Sequence, residues 1–181
     1  GRVMKNKGVG EFLECAEYIR GKDPNTEFDM IGGYDGDAYL KQIESLQERG
    51  IVNFFGKQKD VKSFISSHHA TILPSYHEGM SNALLESAAC GRPVIATNVA
   101  GCKETFDDGI SGFSCEARST QSLIEAVERF LALPYEQKVA MGLAGRKKME
   151  TEFDRRIVTD AYMKEIEKTE ERNEFISETH R

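Results

Sequence analysis

Near the start of the chain, apolar residues recur at spacings of three and four, which is the period of an amphipathic helix. The residues that form this pattern are Val9, Phe12, Leu13, Ala16 and Ile19. We therefore predict a helix over residues 8–20, which ends at Gly21 and Pro24 because both residues disfavour helical backbone.

The rest of the chain alternates short apolar runs with helical patterns. Runs of four or five mostly apolar residues predict strands over 27–31, 51–55, 70–73, 93–97 and 112–115. Apolar spacings of three and four predict helices over 39–46, 61–65, 82–90, 123–131, 136–149 and 154–170.

Strands that are almost entirely apolar and are separated by helices indicate a parallel sheet that is covered on both faces. We therefore predict an α/β fold with a doubly wound, Rossmann-like parallel sheet. A single domain is expected over residues 1–181, with a C-terminal helical extension over 152–181. Ligands of such sheets bind at the carboxyl ends of the strands, so the loops there are where chemistry is expected.

The composition is that of a globular domain, with 181 residues of which 39% are hydrophobic and 30% charged. The net charge of -6 has the wrong sign for binding a polyphosphate backbone, so we expect no nucleic acid partner. No apolar run approaches the ~20 residues needed to span a bilayer, and residues 1–10 lack the apolar core of a signal peptide. The cysteines form no CxxC pair, which is typical of packed thiols in a reducing compartment. These features together predict a cytoplasmic location.

The segment SYHEGMSNALLE, residues 75–86, combines a glycine, small polar residues and a predicted helix start. The first turn of a helix has free backbone N–H groups and the positive end of the helix dipole, which suit an anion such as phosphate. We expect this site near Ser81 and Asn82, with Gly79 allowing a ligand to approach the backbone closely.

Two carboxylates flank this helix start. Glu78 and Glu86 would be separated along the helix axis by roughly 8 to 12 Å, too far to share one proton or one metal ion. That separation suits two hydroxyl-bearing groups on either side of a diphosphate, as in a nucleotide sugar. Alternatively, Glu78 is a first-turn carboxylate favoured by the dipole and Glu86 an exposed helix residue. The apolar neighbours of Glu86 favour a ligand, since an unpaired carboxylate buried among them would be costly.

The opening residues place two cations, Arg2 and Lys7, around a predicted strand-to-helix loop. A basic loop alone is more often a solvated surface. Together with the anion site, these cations would neutralise a leaving diphosphate without a metal ion, each charge-assisted hydrogen bond contributing about 1.5 to 3 kcal/mol.

A series of motifs over residues 1–128 resembles the carboxy-terminal domain of family-four retaining glycosyltransferases of the GT-B fold. They are Gly-Arg, four residues and Lys-Gly at 1–8, the glycine pair at 32–33, PSYHEG at 74–79 with Glu, seven residues and Glu, GRPVIAT at 91–97, AGCKE at 100–104 and DGISGF at 108–113. The chain departs from many relatives at Met80-Ser81 and at Ala100-Gly101, where they have Phe-Gly and two glycines.

The resemblance implies specific roles for the site residues. Arg2 and Lys7 would bind the donor diphosphate, Glu78 the sugar hydroxyls and Glu86 the ribose diol, with Arg2, Lys7 and Glu78 as the catalytic group. Backbone amides of Gly79, Met80, Ser81 and Asn82 would hold the phosphate and sugar, and the base would pack near the loop 55–61.

The resemblance also implies a function. The chain would be the donor-binding domain of an enzyme that transfers a sugar with retention from a nucleoside diphosphate sugar, expected to be uridine-linked, to a glycan or lipid-linked acceptor. The family's N-terminal acceptor domain and the strand preceding Gly1 are absent from this sequence, so the chain alone is expected to bind its donor but to show little catalytic turnover.

We also expect an exposed sheet edge beside the strand 27–31. No metal or other cofactor is expected, and peripheral membrane association of the full enzyme is left open. The alternatives are a non-catalytic nucleotide-sugar-binding module and a nucleotide-sugar epimerase of similar fold.

Other candidate residues are given structural interpretations. Asp35 and Asp37 suggest a turn and a helix N-cap rather than a metal site, and His68-His69 a solvated or packed pair without a partner at ligand spacing. His77 is left unassigned. The basic residues of 146–156 are interpreted as a solvated helix face, with a weak membrane contact left open.

Overall fold

The computed structural model of the protein describes residues 1–179 and has the predicted alternation of strands and helices. Its helices are α1 (Val9–Lys22), α2 (Leu40–Glu48), α3 (Val61–Ser66), α4 (Asn82–Ala89), α5 (Thr120–Leu131), α6 (Tyr135–Glu152) and α7 (Arg155–Thr179). Its strands are β1 (Asp29–Met30), β2 (Asn53–Phe54), β3 (Thr71–Leu73), β4 (Val94–Thr97) and β5 (Gly112–Cys115). Short 3-10 turns form at Lys5–Lys7 and Lys103–Thr105.

The strands are parallel, as predicted, but they form two sheets rather than one. β1 pairs with β2, and β3, β4 and β5 form a three-stranded sheet in that order. Within residues 1–179, no strand lies between β1 and β3. Each of these two strands therefore keeps one edge without a strand partner, and both are only half-buried, whereas β4 is buried along its whole length. β1 is shorter than the predicted strand 27–31.

Both faces of β4 are covered, which is the feature that makes the fold doubly wound. Ile95 belongs to the larger hydrophobic cluster, which α1 and α5 dominate. Val94 and Ala96 point to the opposite face and belong to a smaller cluster with Leu84 of α4 and Phe106. Because side chains alternate between the faces of a strand, a run of four apolar or small residues is buried on both sides.

The first eight residues run across the carboxyl ends of both sheets. On the β1 side, Val3 N–H donates to the carbonyl of Gly33, and the carbonyl of Val3 accepts from Asp35 N–H. On the β3 side, the carbonyl of Asn6 accepts from Tyr76 N–H. The opening segment therefore reaches the carboxyl edge of both sheets, where ligands of this fold bind.

The C-terminal part of the chain is helical. α6 packs against α4, and the described side chains of α7 are exposed, whereas Phe153 and Asp154, which precede this helix, are partly buried. The predicted extension 152–181 therefore begins at the last residue of α6, and its residues 180–181 lie outside the described part of the chain. Among residues 1–179, no helix combines the length and apolar character needed to cross a membrane.

Candidate functional site

The centre of the candidate site is an ion pair between Lys7 and Glu78, which are 71 residues apart in sequence. Lys7 Nζ lies 2.6 Å from Glu78 Oε1, and the two side chains are 24% and 12% exposed. The hydroxyl of Ser75 donates to the same carboxylate oxygen at 2.7 Å. Glu78 Oε2 accepts no hydrogen bond from the described residues, so it is available to a ligand.

A glycine brings Lys7 and Glu78 together. Gly8 has a positive φ of 67°, and a Cβ there would lie 2.0 Å from the carbonyl oxygen of Pro74. Only glycine fits such a contact, so the start of α1 packs directly on the backbone that leads into the 75–86 segment. The Asn6–Tyr76 backbone hydrogen bond reinforces this contact on the other side of Lys7.

The start of α4 has the predicted free amides, with one correction. Ser81 is the N-cap, and its hydroxyl accepts from Leu84 N–H. The N–H of Ser81 itself donates to the carbonyl of Gly101 at 2.9 Å, so it is not free for a phosphate as predicted. Among the described residues, the amides of Asn82 and Ala83 have no backbone acceptor outside the helix, and those of Gly79 and Met80 have none either. These four donors remain available to an anion.

The loop after β4 supports this segment from behind. Gly101 has a φ of 80°, and a Cβ there would lie 2.5 Å from the carbonyl oxygens of both Glu78 and Gly79. Its N–H donates to Glu104 Oε2 at 2.8 Å, which closes the turn. The backbone of this loop therefore restrains the main chain of Glu78 and Gly79, and with it the position of the Glu78 side chain.

Glu86 is placed differently from its sequence-based interpretation. It is exposed rather than buried among its apolar neighbours, so the argument from the cost of burying it is wrong. It lines a cleft of about 530 Å³ between α4 and the α6–α7 junction, together with Asn82, Leu85, Ala89, Arg146, Met149, Glu150, Phe153, Asp154 and Arg155. Within the described residues its carboxylate accepts no hydrogen bond, which leaves it free to accept from a diol.

Among the described residues, neither Glu86 nor Arg2 forms a hydrogen bond or ion pair with Lys7 or Glu78. The cleft that Glu86 lines contains neither member of that pair. The guanidinium of Arg2 instead donates to Asp35 Oδ2 at 2.8 Å, and both of these side chains are exposed. The structure therefore joins Lys7 and Glu78 directly and leaves Arg2 and Glu86 without a contact to them.

Side-chain contacts correct the N-cap interpretation of the aspartates. Neither Asp35 nor Asp37 caps α2, whose N-cap is Tyr39 without a side-chain cap, and Asp35 is instead the partner of Arg2. His68 is a packed histidine, in agreement with its interpretation: its Nε2 lies 2.8 Å from Asp29 Oδ2 and its Nδ1 lies 2.6 Å from the carbonyl of Phe64. His77 is exposed.

The sequence-based interpretation missed several polar residues around the pair. Ser75 is fully buried, and its carbonyl accepts from the hydroxyl of Thr97 at the end of β4. The hydroxyl of Tyr76 donates to Glu11 at 2.5 Å, and burial together with this bond raises the pKa of Tyr76 to about 12. The sequence does show that Ser75 and Tyr76 lie close to the candidate carboxylate of Glu78. Their spacing, however, does not identify the side chains with which they form hydrogen bonds.

The loop 55–61, which is expected to lie near the base of the nucleotide, carries an exposed aromatic ring. Phe55 is 48% exposed and packs edge-on against Phe64, with 5.4 Å between ring centroids. No three metal-ligating side chains of His, Cys, Asp or Glu cluster anywhere in residues 1–179. The expectation that no metal is needed stays a prediction.

The model of the family described as "Glycosyl transferases group 1" matches residues 1–132 of the chain. The chain belongs to this family. The group 1 assignment covers every residue of the candidate site, from Arg2 to Glu86, and the family is one of transferases.

Curated relatives of this group 1 chain are named as enzymes of glycan assembly. An N,N'-diacetylbacillosaminyl-diphospho-undecaprenol alpha-1,3-N-acetylgalactosaminyltransferase from Campylobacter jejuni is 27% identical over 164 residues, which are 90% of this chain and 42% of that protein. The capsular polysaccharide biosynthesis glycosyltransferase CapM from Staphylococcus aureus is also 27% identical, over 87% of this chain and 42% of its own length. The group 1 chain thus spans less than half the length of these two relatives.

Solved structures share the fold. The crystal structure of HepE from Anabaena in complex with UDP and glucose has a TM-score of 0.81 at 16% identity, over 93% of this chain and 47% of that one. The C-terminal domain of a glycosyl transferase group 1 family protein, LpcC, from Francisella tularensis has a TM-score of 0.74 at 24% identity, over 85% of this chain and 83% of that one. The predicted Rossmann-like domain of the GT-B fold is therefore confirmed.

Proposed function

We propose that the chain is the donor-binding domain of a retaining glycosyltransferase that takes its sugar from a nucleoside diphosphate sugar, with UDP as the nucleotide. The acceptor is a glycan or a lipid-linked saccharide, and a second domain of the same enzyme binds it across a cleft. The observation that carries the proposal is the Lys7–Glu78 pair, which lies beside the unpaired amides at the start of α4.

The geometry supports distinct roles for the parts of the site. Amides at an α-helix start and the Lys7 ammonium suit the two negative phosphates, whose charge increases as the diphosphate leaves. Glu78 Oε2 and the Glu86 carboxylate are free to accept hydroxyl hydrogens of the sugar and the ribose. Arg2 would join the diphosphate only after leaving Asp35, which costs little because that pair is exposed.

The relatives favour a transferase over the two alternatives. The curated relatives reported above are named as glycosyltransferases, and HepE was crystallised with UDP and glucose. The chain spans 42% of the length of each of these two relatives, which supports a further domain in the whole enzyme. Neither an epimerase nor a non-catalytic module is favoured by any contact in the site.

Isothermal titration calorimetry of the 181-residue chain with UDP, and separately with GDP as the alternative nucleotide, tests the proposal by comparing their affinities. We expect one UDP site per chain. Replacing Lys7 by alanine should weaken UDP binding by about tenfold or more, because a charge-assisted hydrogen bond contributes about 1.5 to 3 kcal/mol.

Lys22→Ala is the matched control for this titration. Lys22 also forms a lysine–glutamate pair, with Glu128 at 2.8 Å, but on an exposed surface away from the site. Its loss should leave UDP affinity unchanged. Absence of binding by the folded, unmodified chain, or an equal effect of both alanine variants, would count against the proposal.

A further inference from the structure

Ser75 holds the carboxylate of Glu78 from inside the protein. Its side chain is fully buried, and its hydroxyl donates to Glu78 Oε1 at 2.7 Å. Lys7 Nζ binds the same oxygen at 2.6 Å. A carboxylate oxygen has two lone-pair sites, so these two donors occupy Oε1, and Oε2 has no donor among the described residues.

The two donors on Oε1 differ in how firmly they are held. Lys7 has a flexible four-carbon stem and an exposed fraction of 24%, and its ammonium is also attracted to a bound diphosphate. Ser75 has a one-carbon side chain on a buried backbone, and its own carbonyl accepts from the buried hydroxyl of Thr97 in β4. The serine hydroxyl is therefore the more firmly held of the two donors.

We propose that Ser75 is a positioning residue that orients the Glu78 carboxylate towards the sugar of the donor, supported by Thr97 and independent of whether Lys7 stays bonded. This inference rests on the proposed function, because it needs Glu78 to contact the sugar. It makes a specific prediction: Ser75 matters for the sugar half of the donor and not for the nucleotide half.

The test compares UDP with UDP-sugars in titrations of the 181-residue chain. The probes are UDP-glucose, UDP-galactose, UDP-N-acetylglucosamine and UDP-N-acetylgalactosamine, and the sugar that adds most affinity over UDP is used for the variants. We expect Ser75→Ala to leave UDP affinity within twofold and to reduce the added affinity for the sugar by about tenfold or more, which is the loss expected for a hydrogen bond to a charged group.

Two variants separate positioning from general structure. Thr97→Val keeps the shape of the supporting residue and removes its hydroxyl, so it should reduce the same sugar-dependent affinity to a smaller extent. Ser111→Ala is the control, because Ser111 is also a buried serine, but its hydroxyl accepts from Asp107 N–H at a distance from the site. It should change neither affinity.

A double-mutant cycle with Glu78→Gln shows whether Ser75 acts through Glu78. We expect Ser75→Ala to have little further effect once Glu78 is replaced. Equal losses for UDP and UDP-sugar in Ser75→Ala, or additive effects in the cycle, would overturn the positioning role and leave the proposed function intact. If none of the four sugars adds affinity over UDP, the positioning role is also wrong. No binding of UDP by the unmodified chain would overturn both.

Discussion

Replacing Gly101 by alanine should disturb the candidate site more than it disturbs the rest of the fold. The residue has a φ of 80°, and its missing Cβ would lie 2.5 Å from the carbonyl oxygens of Glu78 and Gly79. Gly109 is the matched comparison, because its φ is 75° and a Cβ there meets nothing within 4 Å. Both variants carry the cost of a left-handed alanine, and only Gly101→Ala adds the close contact.

The magnitudes follow from these two contributions. A left-handed backbone costs an alanine about 1 kcal/mol more than a glycine. The contact at Gly101 involves two backbone oxygens that no rotamer change can move away, so relief requires a backbone shift worth about 1 to 3 kcal/mol more. We expect the free energy of unfolding to fall by about 1 kcal/mol in Gly109→Ala and by about 3 kcal/mol in Gly101→Ala.

Urea unfolding and thermal melting measure these differences. In a chain of this length, 1 kcal/mol corresponds to a shift in Tm of about 2 to 4 °C, so the two variants should melt clearly apart. The backbone shift should also move Glu78 and break the Ser81–Gly101 hydrogen bond, which would weaken UDP-sugar binding in Gly101→Ala alone.

Equal losses of stability in the two alanine variants, with donor binding by both like that of the unmodified chain, would contradict this prediction. That result would mean that the loop after β4 does not support the 78–81 backbone as closely as the structure shows.

Three further predictions concern single groups. Lys7→Met should lower the free energy of unfolding by about 1 to 3 kcal/mol in urea, because it leaves a largely buried Glu78 carboxylate without its cation, and adding Glu78→Gln should recover part of that loss. The pKa of Tyr76 is raised to about 12, so the contribution of its neutral hydroxyl to stability is complete below pH 10 and is lost as the pH rises towards 12. Tyr76→Phe should therefore remove the loss of stability that this ionisation causes at alkaline pH. In the unmodified chain, the absorbance of the Tyr76 tyrosinate should rise over the same pH range. Native thiol labelling at pH 8 should modify Cys90 first, since the other cysteines are buried and burial raises their thiol pKa values, whereas all four thiols should react in urea.

The periodicity of the sequence predicts the elements well where local signals and packing agree. The strand at 112–115 and the start of α4 at Asn82 lie where the sequence predicts them, because glycine and polar residues mark their limits. The predicted strands 27–31 and 51–55 shorten to two residues each. A strand's length depends on its neighbours, and β1 has a strand partner on one edge among the described residues.

The site was predicted in part for a topological reason. Lys7 and Glu78 both lie at the carboxyl edge of the sheets, where segments distant in sequence meet, so their convergence is expected of a doubly wound fold. The Arg2–Asp35 ion pair and the hydrogen bond from the Ser81 N–H to Gly101 were not predictable from the sequence. Both depend on contacts between loops that lie far apart along the chain. The glycines that permit these contacts are visible in the sequence, but the backbones they meet, at Pro74 and Glu78, are not.

The same contacts explain why the two charges of the central pair differ in how they are held. The opening segment that carries Lys7 is attached to the β1 side through Val3 and to the β3 side through Asn6, so its place depends on both sheets. Glu78 is held through Ser75 and Gly101, which are tied to β4 and its following loop. The Asn6–Tyr76 hydrogen bond and the Gly8–Pro74 contact lie on either side of Lys7 and tie its backbone to the segment that carries Glu78. The two charges therefore share one backbone framework, and they differ in their side chains: a long, partly exposed one for Lys7 and a shorter one with a buried serine partner for Glu78.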